Sequence, residues 1–549
     1  MSDQNNARPR VLVADPIAAE GLEILRGFAD VDERTGLGAE GLIAAIPAYD
    51  GLIVRSETKV TEPVIAAASK LRIIGRAGVG VDNIDVGAAT KAGVIVVNSP
   101  TGNIVAAAEH TVALLLAMAR RIPIANAAMR EGRWERSKFV GTEVRGKTLG
   151  IVGLGKVGSE VARRAGENGL GMRLIAHDPY ANPDNARKLN AELVSLDELL
   201  AQSDFVTAHT VLNSDTRGLI GAEELAKMKP TARIINCARG GVVNEEALLV
   251  AIQENRLAGA ALDVYTKEPP FESETIKALI ADPRVVVTPH LGASTEEAQV
   301  SVAVDVAEQM RDVFAGEAPR AAVNAPLILP ETLRALAPWM DLVEKLGRFL
   351  TQLRPGALKK VEFSVAGELA QFDTRPLTTA FIRGLLSPIS EAHVNQVNAQ
   401  VVAREWGLEV TESRSTAPEH YASLVTATVN PDGDGAETTL AGTIAWGEAR
   451  IVRVNGYATD FRPNGHILLA HNTDRPGMIG KVGLILGEAG VNISRMDVGL
   501  PPASMASEAA RKQGGEALMA LSLDDAPPAA AIERIRNSEG FTDVRSIQL

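Results

Sequence analysis

The segment Gly153-Leu154-Gly155-Lys156-Val157-Gly158 limits the possible fold more than any other part of the chain. It directly follows the β-branched run Thr148–Val152. After it comes a segment that would place Val161, Ala162 and Ala165 on one face of a helix. A strand, a glycine turn and a helix in this order let a pyrophosphate approach the backbone and sit on the helix's N-terminal amides. The segment therefore predicts a dinucleotide-binding βαβ unit.

The carboxylate of Asp178 indicates which dinucleotide would bind. Asp178 stands twenty residues after Gly158, at the end of the next predicted strand. A carboxylate there can accept hydrogen bonds from the ribose hydroxyls of adenosine and would repel a 2′-phosphate. The following residues, Pro179-Tyr180-Ala181-Asn182, offer no arginine to bind such a phosphate. The sequence therefore predicts NAD rather than NADP.

Short apolar strands alternate with helices in two series along the first 320 residues. The predicted strands of the first series are 11–14, 51–54, 71–74 and 94–97, and those of the second are 148–152, 173–177, 204–208, 232–236, 259–263 and 285–288. Long helices are expected at about 105–121 and 295–314. This alternation is typical of parallel sheets that are covered by helices on both faces. The predicted fold class is α/β, with two doubly wound parallel-sheet domains, flavodoxin-like and Rossmann-type.

The pattern changes after residues 315–320, which are interpreted as a linker. Residues 360–460 contain β-rich pieces, predicted at 360–365, 423–429, 439–444 and 450–454. The last ~85 residues follow the order β-α-β-β-α-β, which is typical of a ferredoxin-like sandwich. Two α+β modules are therefore predicted at the C-terminal end.

Composition excludes several classes of protein. The chain has 56 Lys and Arg against 68 Asp and Glu, a formal net charge of −12, which disfavours binding to nucleic acids or anionic membranes. Its single cysteine and the spacing of its eight histidines predict no metal site. The apolar runs are far shorter than the ~18 residues of a membrane span, and the polar first residues lack a secretory signal. A cytoplasmic location is expected.

Three segments that follow late strands of the second series carry groups suited to alcohol oxidation. They are 236–241, 263–269 and 288–292, and they contribute Arg239, Glu268 and His290. A histidine can take the hydroxyl proton, a carboxylate can orient it, and an arginine can bind a substrate carboxylate. Taken singly, each could instead be structural: a capping arginine, a surface glutamate before proline, and a histidine packed on proline.

These segments, the glycine motif and the stretch 76–85, Arg-Ala-Gly-Val-Gly-Val-Asp-Asn-Ile-Asp, resemble the D-isomer-specific 2-hydroxyacid dehydrogenase family. From Val11 onwards the chain resembles the long members with two extra domains. The resemblance implies that His290 is the acid/base, Glu268 its partner and Arg239 the carboxylate anchor. It further implies NAD contacts from these residues: Gly153, Gly155, Lys156, Val157, Gly158, Asp178, Thr210, Cys237, Ala238, Arg239, Asp263, His290, Gly292 and Ala293.

The resemblance also implies a domain division. The substrate-binding domain would be discontinuous, 8–104 and 291–320, around an NAD-binding domain at 105–290. An intervening domain that resembles the allosteric-substrate-binding type would cover 321–463, and a regulatory domain of the ACT type 464–549.

Additional cations point to a phosphorylated substrate. The long members of the family oxidise 3-phospho-D-glycerate to 3-phosphohydroxypyruvate, the first step of L-serine biosynthesis. The residues that would face this substrate are Arg55, Ser56, Arg76 and Asn103, with Arg136 reaching the cleft of a neighbouring subunit. Val79 stands where the family typically has threonine, and little effect on the chemistry is expected.

ACT domains bind amino acids at dimer interfaces, so the resemblance implies a homo-oligomer, a dimer or a homotetramer, with L-serine as a possible effector. Asn472, Asp474 and Asn492 occupy the matching positions, although asparagine at 472 departs from the aromatic residue or histidine usual there. A module that only dimerises is the alternative. Two other functions remain open: a glyoxylate or hydroxypyruvate reductase of the same family, and a non-catalytic NAD sensor.

Overall fold

A computed structural model describes residues 8–325, 330–354, 356, 358–390, 394–417, 420–430, 437–501 and 515–549. Two all-parallel sheets form the first part of the chain, and two sheets with antiparallel pairs form the second. This architecture confirms the predicted fold class of two doubly wound units followed by two α+β modules.

The first sheet has five parallel strands in the order β2-β1-β3-β4-β5. The strands are β1 Arg10–Val13, β2 Asp30–Glu33, β3 Gly51–Val54, β4 Ile73–Arg76 and β5 Ile95–Asn98. The helices are α1 Ala19–Phe28, α2 Gly38–Ala45, α3 Glu62–Ala67 and α4 Val86–Lys91. Four of these strands were predicted. Strand β2 was missed because it is a polar edge strand with no fully buried residue.

Two helices connect the first sheet to the second: α5 Ile104–Ala119 and α6 Ile122–Arg130. Helix α5 packs across three neighbouring strands of the second sheet and buries Ala108, Leu114 and Leu115. No single helix in the described part of the chain is long and apolar enough to cross a membrane, although α5 and α6 together, bent by 65°, satisfy that test of length and composition.

The second sheet has seven parallel strands in the order β12-β11-β10-β9-β6-β7-β8. The strands are β6 Thr148–Val152, β7 Arg173–His177, β8 Ala191–Leu193, β9 Phe205–Ala208, β10 Arg233–Asn236, β11 Gly259–Leu262 and β12 Val285–Val287. The helices are α7 Lys156–Ala165, α8 Pro183–Lys188, α9 Leu196–Gln202, α10 Ala222–Lys227, α11 Glu245–Gln253 and α12 Glu274–Ala281. Strand order reverses between β6 and β9, where open α/β sheets bind ligands. Strand β8, which was not predicted, is a three-residue edge strand.

Helix α13 Glu296–Phe314 returns from the second sheet and packs against α1 and β4 of the first. Contact with α1 is close at Gly21, where a Cβ would lie 2.8 Å from the Cβ of Ala303. The chain therefore crosses between the two sheets twice, along α5 and before α13.

The third sheet has the order β14-β13-β15-β16-β17-β18. Its elements are α14 Pro330–Leu353, β13 Lys360–Gly367, α15 Arg375–Leu386, α16 Ala399–Glu405, β14 Glu409–Ser415, β15 Ser423–Asn430, β16 Thr438–Ala445, β17 Glu448–Val454 and β18 Tyr457–Phe461. Strands β14 and β18 lie at the two edges and were missed, since β14 has no fully buried residue and β18 carries the polar residues Thr459 and Asp460 between its apolar ones.

The fourth sheet has the order β20-β21-β19-β22, with its two helices interleaved as predicted for a ferredoxin-like unit. Its elements are β19 His466–Thr473, α17 Met478–Glu488, β20 Ile493–Gly499, β21 Glu516–Leu523, α18 Ala529–Arg536 and β22 Phe541–Gln548. Ile467 and Leu469 of β19 belong to the core that surrounds Phe349 of α14 and Phe363 of β13. The last two modules thus share one hydrophobic core.

Candidate active site

Strand ends of the first two sheets meet at a cavity of about 270 Å³. Because carboxyl ends of parallel strands gather at one edge of a sheet, loops that are distant in sequence converge there. Seven of the predicted catalytic and substrate-binding residues line this cavity: Arg55, Ser56, Arg76, Asn103, Arg239, Glu268 and His290. The catalytic and substrate-binding candidates are therefore adjacent, with the exception of Arg136.

His290 and Glu268 form a hydrogen-bonded pair. The Nδ1 of His290 lies 2.8 Å from Oε2 of Glu268, and Oε1 of Glu268 accepts a hydrogen bond of 3.1 Å from the backbone N–H of Tyr265. The carboxylate is thus held in place by the loop after β11. Since Nδ1 is engaged, Nε2 is the imidazole nitrogen that remains for a substrate hydroxyl.

The backbone of His290 adopts a left-handed conformation, with φ of +56°. Three successive amides converge on Asp263 and hold it there. The N–H of His290 donates to the carbonyl oxygen of Asp263 at 2.8 Å, and the N–H groups of Leu291 and Gly292 donate to its two carboxylate oxygens at 2.7 and 2.8 Å. This conformation is unfavourable for a residue with a side chain. The amides on Asp263 therefore determine where the imidazole lies.

Asp263 is fully buried and ionised. Burial alone would raise the pKa of its carboxyl group, but hydrogen bonds from His110, Thr288 and Leu291 outweigh burial and hold that pKa below its usual value. Cys237 lies beside this carboxylate, and burial together with the charge of Asp263 raises the pKa of its thiol. The side-chain nitrogen of His110, the sulfur of Cys237 and a carboxylate oxygen of Asp263, the atom types that can bind a metal ion, lie within 4.8 Å of one another.

Arg239 connects the two halves of the cleft. Its Nε donates to Oδ2 of Asp82 at 2.8 Å, and its Nη1 donates to the carbonyl oxygen of Ala238 at 2.7 Å. A Cβ on Gly80 would lie only 2.0 Å from Nη2 of Arg239, so that position must be glycine for the guanidinium to fit. Both Gly80 and Asp82 belong to the loop after β4, on the opposite side from Arg239.

Arg76 is a part-buried cation whose buried Nε has no hydrogen-bond partner among the residues that the structure describes. Burial and the neighbouring charges of Arg239 and Arg55 lower its pKa to about 10, so it remains protonated at neutral pH. A Cβ on Gly78, whose φ is +148°, would lie 1.5 Å from Nη1 of Arg76. The loop is thus shaped around this guanidinium. Three clustered arginines repel one another unless an anion joins them.

Arg55 is placed by a buried carboxylate that sequence reasoning did not identify. Asp15, 2% exposed at the end of β1, accepts hydrogen bonds from the backbone N–H of Arg55 at 2.6 Å and from Oγ1 of Thr58 at 2.5 Å. Arg136, by contrast, is exposed on a 3₁₀ helix and does not line the cleft of its own chain.

A second cavity of about 550 Å³ adjoins the first along the edge of the seven-stranded sheet. Eleven of the predicted NAD contacts line it: Gly155, Lys156, Val157, Thr210, Cys237, Ala238, Arg239, Asp263, His290, Gly292 and Ala293. Gly153 and Gly158 lie beneath it in close contact, since a Cβ on Gly158 would be 2.1 Å from the carbonyl oxygen of Gly153. A Cβ on Gly155 would have no neighbour within 4 Å, which leaves its backbone open to a pyrophosphate. These residues fit a dinucleotide.

Asp178 lies at the far side of the glycine turn and lines a separate cavity of about 380 Å³ with His177, Pro179 and Glu198. Its Oδ2 accepts the backbone N–H of Leu154 at 2.9 Å, so the carboxylate is tied to the glycine turn. That position is suited to the adenosine end of a dinucleotide whose other end reaches His290.

Replacing Asp178 with serine is expected to reduce the preference for NAD over NADP by about 100-fold in kcat/KM. The substitution removes a negative charge that repels the 2′-phosphate, and about 2.7 kcal/mol of such repulsion is a factor of 100. Initial rates with each coenzyme measure the ratio. A Glu198→Gln variant, at the rim of the same cavity, is the control and should keep the wild-type ratio; an Asp178→Ser enzyme that also keeps it would contradict the assigned role.

The effector candidates are only partly brought together. Asn472 and Asp474 line a cavity of about 340 Å³ at the end of β19. Asn472 is 3% exposed, and its buried Oδ1 has no hydrogen-bond partner within the described ranges, which omit residues 502–514. Asn492 does not line this cavity, and its Nδ2 instead donates to Oδ2 of Asp524 at 2.7 Å.

Sequence reasoning missed Asp15, Asp82 and His110, which support the site from elements other than those carrying the catalytic groups. Asp82 lies within the glycine-rich stretch on which the family resemblance partly rests. The sequence therefore indicated that this stretch mattered, but not that Asp82 pairs with Arg239. His110 lies seven residues after Asn103 on a helix, and this spacing was a usable signal of a shared face.

Three family models match the chain. The NAD binding domain of the D-isomer specific 2-hydroxyacid dehydrogenases matches residues 112–292, the D-3-phosphoglycerate dehydrogenase intervening domain matches 335–455, and the ACT domain matches 466–540. The first of these shows that NAD is the cofactor of this chain's dehydrogenase domain.

Curated relatives match over nearly the full length. A D-3-phosphoglycerate dehydrogenase from Synechocystis sp. is 46% identical over 98% of this chain and 95% of its own length. Another from Archaeoglobus fulgidus is 42% identical over 98% and 100%.

Solved structures match the first two sheets. A glyoxylate reductase from Paecilomyes thermophila is 32% identical over 58% of this chain and 98% of its own, with a TM-score of 0.53. A D-lactate dehydrogenase from Aquifex aeolicus, complexed with NAD and lactic acid, is 24% identical over 58% and 99%, with a TM-score of 0.52, and shows the fold alone. With the site geometry and the matches over the whole length taken together, the chain belongs to the D-3-phosphoglycerate dehydrogenases within the D-isomer specific 2-hydroxyacid dehydrogenase family.

Proposed function

We propose that this chain oxidises 3-phospho-D-glycerate to 3-phosphohydroxypyruvate with NAD. The observation that carries the proposal is the guanidinium of Arg76, whose buried Nε has no hydrogen-bond partner in the described part of the chain. It lines, with Arg55, the cavity that Arg239, Glu268 and His290 also line. A monocarboxylate would occupy one arginine only. A substrate with a carboxylate at one end and a phosphate at the other uses all three.

His290 takes the proton of the 2-hydroxyl group through Nε2, and Glu268 stabilises the positive charge that forms on the imidazole. Arg239 binds the carboxylate next to the reacting carbon and polarises the oxygen that becomes the carbonyl. NAD, when bound, supplies the acceptor for the hydride that leaves the same carbon. In the reverse direction His290 returns the proton to the carbonyl oxygen.

The test is formation of NADH from 3-phospho-D-glycerate compared with D-glycerate under the same conditions. We expect kcat/KM to be at least about 100-fold higher for the phosphorylated substrate, since a charge-assisted contact between phosphate and arginine contributes roughly 1.5–3 kcal/mol. Equal rates, or a preference for glyoxylate, would favour the alternative of a reductase for small 2-oxo acids. NADH binding without any turnover would favour a sensor.

We further propose the domain division given above, with the first sheet as the substrate domain and the second as the NAD domain. The packing of α13 on α1 and β4 supports a discontinuous first domain. We also propose a cytoplasmic homo-oligomer in which Arg136 serves a neighbouring cleft. Supporting this, Trp134 and Val140 flank Arg136 and are 74% and 75% exposed, as expected of side chains that a second copy covers.

L-Serine is proposed to inhibit by binding at the cavity of Asn472 and Asp474. The unpartnered Oδ1 of Asn472 can accept a hydrogen bond from a serine ammonium or hydroxyl group. Replacing Asp474 with alanine is expected to raise the serine concentration for half-inhibition at least about 10-fold, because a charge-assisted hydrogen bond is lost, with kcat unchanged.

Initial rates at increasing serine measure this effect, and calorimetric titration reports binding directly. An Asp524→Ala variant, outside the cavity, is the control and should keep wild-type inhibition. Absence of heat and of inhibition up to millimolar serine in the wild type would indicate that the module only dimerises.

A further inference from the structure

We propose that His110 is a positioning residue that links helix α5 to the loop carrying His290, so that the rate of hydride transfer depends on a side chain that does not touch the substrate. The inference rests on the proposed dehydrogenase activity, but it concerns a residue with no role in the chemistry described above. Its basis is the set of contacts around the buried carboxylate of Asp263.

Helix α5 begins next to Asn103, which lines both the substrate and the coenzyme cavities. Asn103, Ala107 and His110 follow one another at intervals of four and three residues, so they share one face of the helix. Gly292 lies against this face, since a Cβ added to it would be 4.0 Å from Ala107. The face therefore runs from the substrate cavity to the loop of His290.

His110 ends this face with two polar contacts. Its Nε2 lies 3.2 Å from Oδ1 of Asp263 and 3.1 Å from Oγ1 of Thr288. The hydroxyl of Thr288 in turn donates to the same Oδ1 at 2.6 Å. Because the carboxylate oxygen of Asp263 can only accept a hydrogen bond, the Nε2 of His110 is the donor. The neutral tautomer of His110 in this arrangement therefore carries its proton on Nε2. One imidazole thus connects α5 to the ends of both β11 and β12.

Asp263 transmits this connection to His290. The amides of residues 290, 291 and 292 bind the carbonyl oxygen and both carboxylate oxygens of Asp263, and the left-handed backbone of His290 depends on them. A carboxylate in a fully buried site keeps its charge only with several donors. Removing the donor on α5 leaves Asp263 with fewer donors and frees the loop from the helix. The imidazole of His290 then samples positions displaced from the productive one.

Displacement of the His290 imidazole lowers the rate of the chemical step rather than the affinity for coenzyme. Misplacement of a reacting group by about 1 Å can reduce the rate up to 100-fold. We expect His110→Ala to reduce kcat about 10- to 30-fold while the Kd for NADH changes less than about twofold. His110→Gln, whose side-chain amide can still donate to Asp263, should recover kcat to within about threefold of wild type.

The decisive readout is the deuterium isotope effect on kcat with substrate deuterated at C2. If hydride transfer becomes slow relative to product release, the isotope effect rises in His110→Ala and returns towards the wild-type value in His110→Gln. A lower fraction of correctly folded enzyme would reduce kcat without changing the isotope effect. Glu109→Gln is the matched control, because the Glu109 side chain is 61% exposed on the same helix and pairs with Arg164 at the surface, and it should behave as wild type.

The proposal is overturned if His110→Ala keeps kcat within twofold of wild type, or if its kcat falls while the isotope effect stays constant and glutamine does not restore activity. Running every variant also with NADH and hydroxypyruvate separates this from the substrate assignment. A wild-type enzyme that reduces hydroxypyruvate but not its phosphorylated form contradicts the proposed substrate. In that case the loss of kcat in His110→Ala and its recovery in His110→Gln, measured with hydroxypyruvate, still test the positioning role.

Discussion

Replacement of His290 with asparagine is expected to lower kcat by about 1,000-fold while NADH still binds. Asparagine can keep a hydrogen bond to Glu268 but cannot accept the hydroxyl proton, and positioned acid/base groups contribute about 10²- to 10⁴-fold. The coenzyme cavity is formed mainly by backbone and by side chains of other residues, so its affinity for NADH should change little. Asparagine also suits the left-handed backbone at this position.

The measurement pairs steady-state rates with a fluorescence titration of NADH, so that lost chemistry is distinguished from lost binding. Glu268→Gln is the companion variant and should lose less, about 10- to 100-fold, because the imidazole remains but its cationic form is no longer stabilised. A His290→Asn enzyme that retained more than a tenth of wild-type kcat would falsify the assignment of the proton acceptor.

Replacement of Arg55 with alanine should decrease kcat/KM for 3-phospho-D-glycerate by about 100-fold and for D-glycerate by less than threefold. A 100-fold decrease corresponds to a loss of about 2.7 kcal/mol of transition-state binding free energy, which is within the range for a charge-assisted contact to phosphate. The unphosphorylated analogue makes no such contact. The backbone of Arg55, held by Asp15, should keep its position, since the N–H group that donates to Asp15 is retained.

The same assay on Arg26→Ala provides the control, because Arg26 is an exposed arginine of helix α1 that pairs with Glu33 of β2, away from the cleft. That variant should match wild type on both substrates. If Arg55→Ala lost equal activity on the two substrates, the arginine would be supporting the fold of the cleft rather than binding phosphate.

The fold was predictable to the extent that burial leaves a pattern. Strands that are covered on both faces, such as Leu12 and its neighbours in β1 or Ile234 in β10, read as apolar runs and were found. The missed strands β2, β8, β14 and β18 all lie at sheet edges, and three of them, β2, β8 and β14, bury at most one residue, so they lack an apolar run. Edge strands with an apolar run, such as β5 and β12, were found. The local residue pattern was thus enough to identify strands that are buried on both faces. Polar edge strands form because they pair with a neighbouring strand, which the local pattern does not show.

The site was predictable where a residue type and its place at a strand end together suggest a reaction. His290, Glu268 and Arg239 each follow a strand of one sheet, and sheet geometry brings such ends together. The groups that hold them come from elsewhere. Asp82 follows β4 of the other sheet, so its contact with Arg239 depends on how the two sheets face each other, which spacing along the chain does not encode. His110 lies on α5, where the spacing from Asn103 indicates its face of the helix but not that Asp263 is its partner.

The contact between Arg239 and Asp82 also determines the electrostatics of substrate entry. The guanidinium of Arg239 is paired with a carboxylate from the loop after β4 of the facing sheet, that of Asp82, at 2.8 Å. A substrate carboxylate therefore replaces Asp82 as the partner of Arg239 instead of pairing with an unpaired guanidinium. The carboxylate end of the substrate then contributes little net binding free energy. The phosphate meets Arg55 and Arg76, which form no ion pair within the described part of the chain, although Asp82 and Asp15 lie close enough to act on the charge of Arg76. Ionic strength should therefore govern capture of the phosphate end far more than recognition of the carboxylate end.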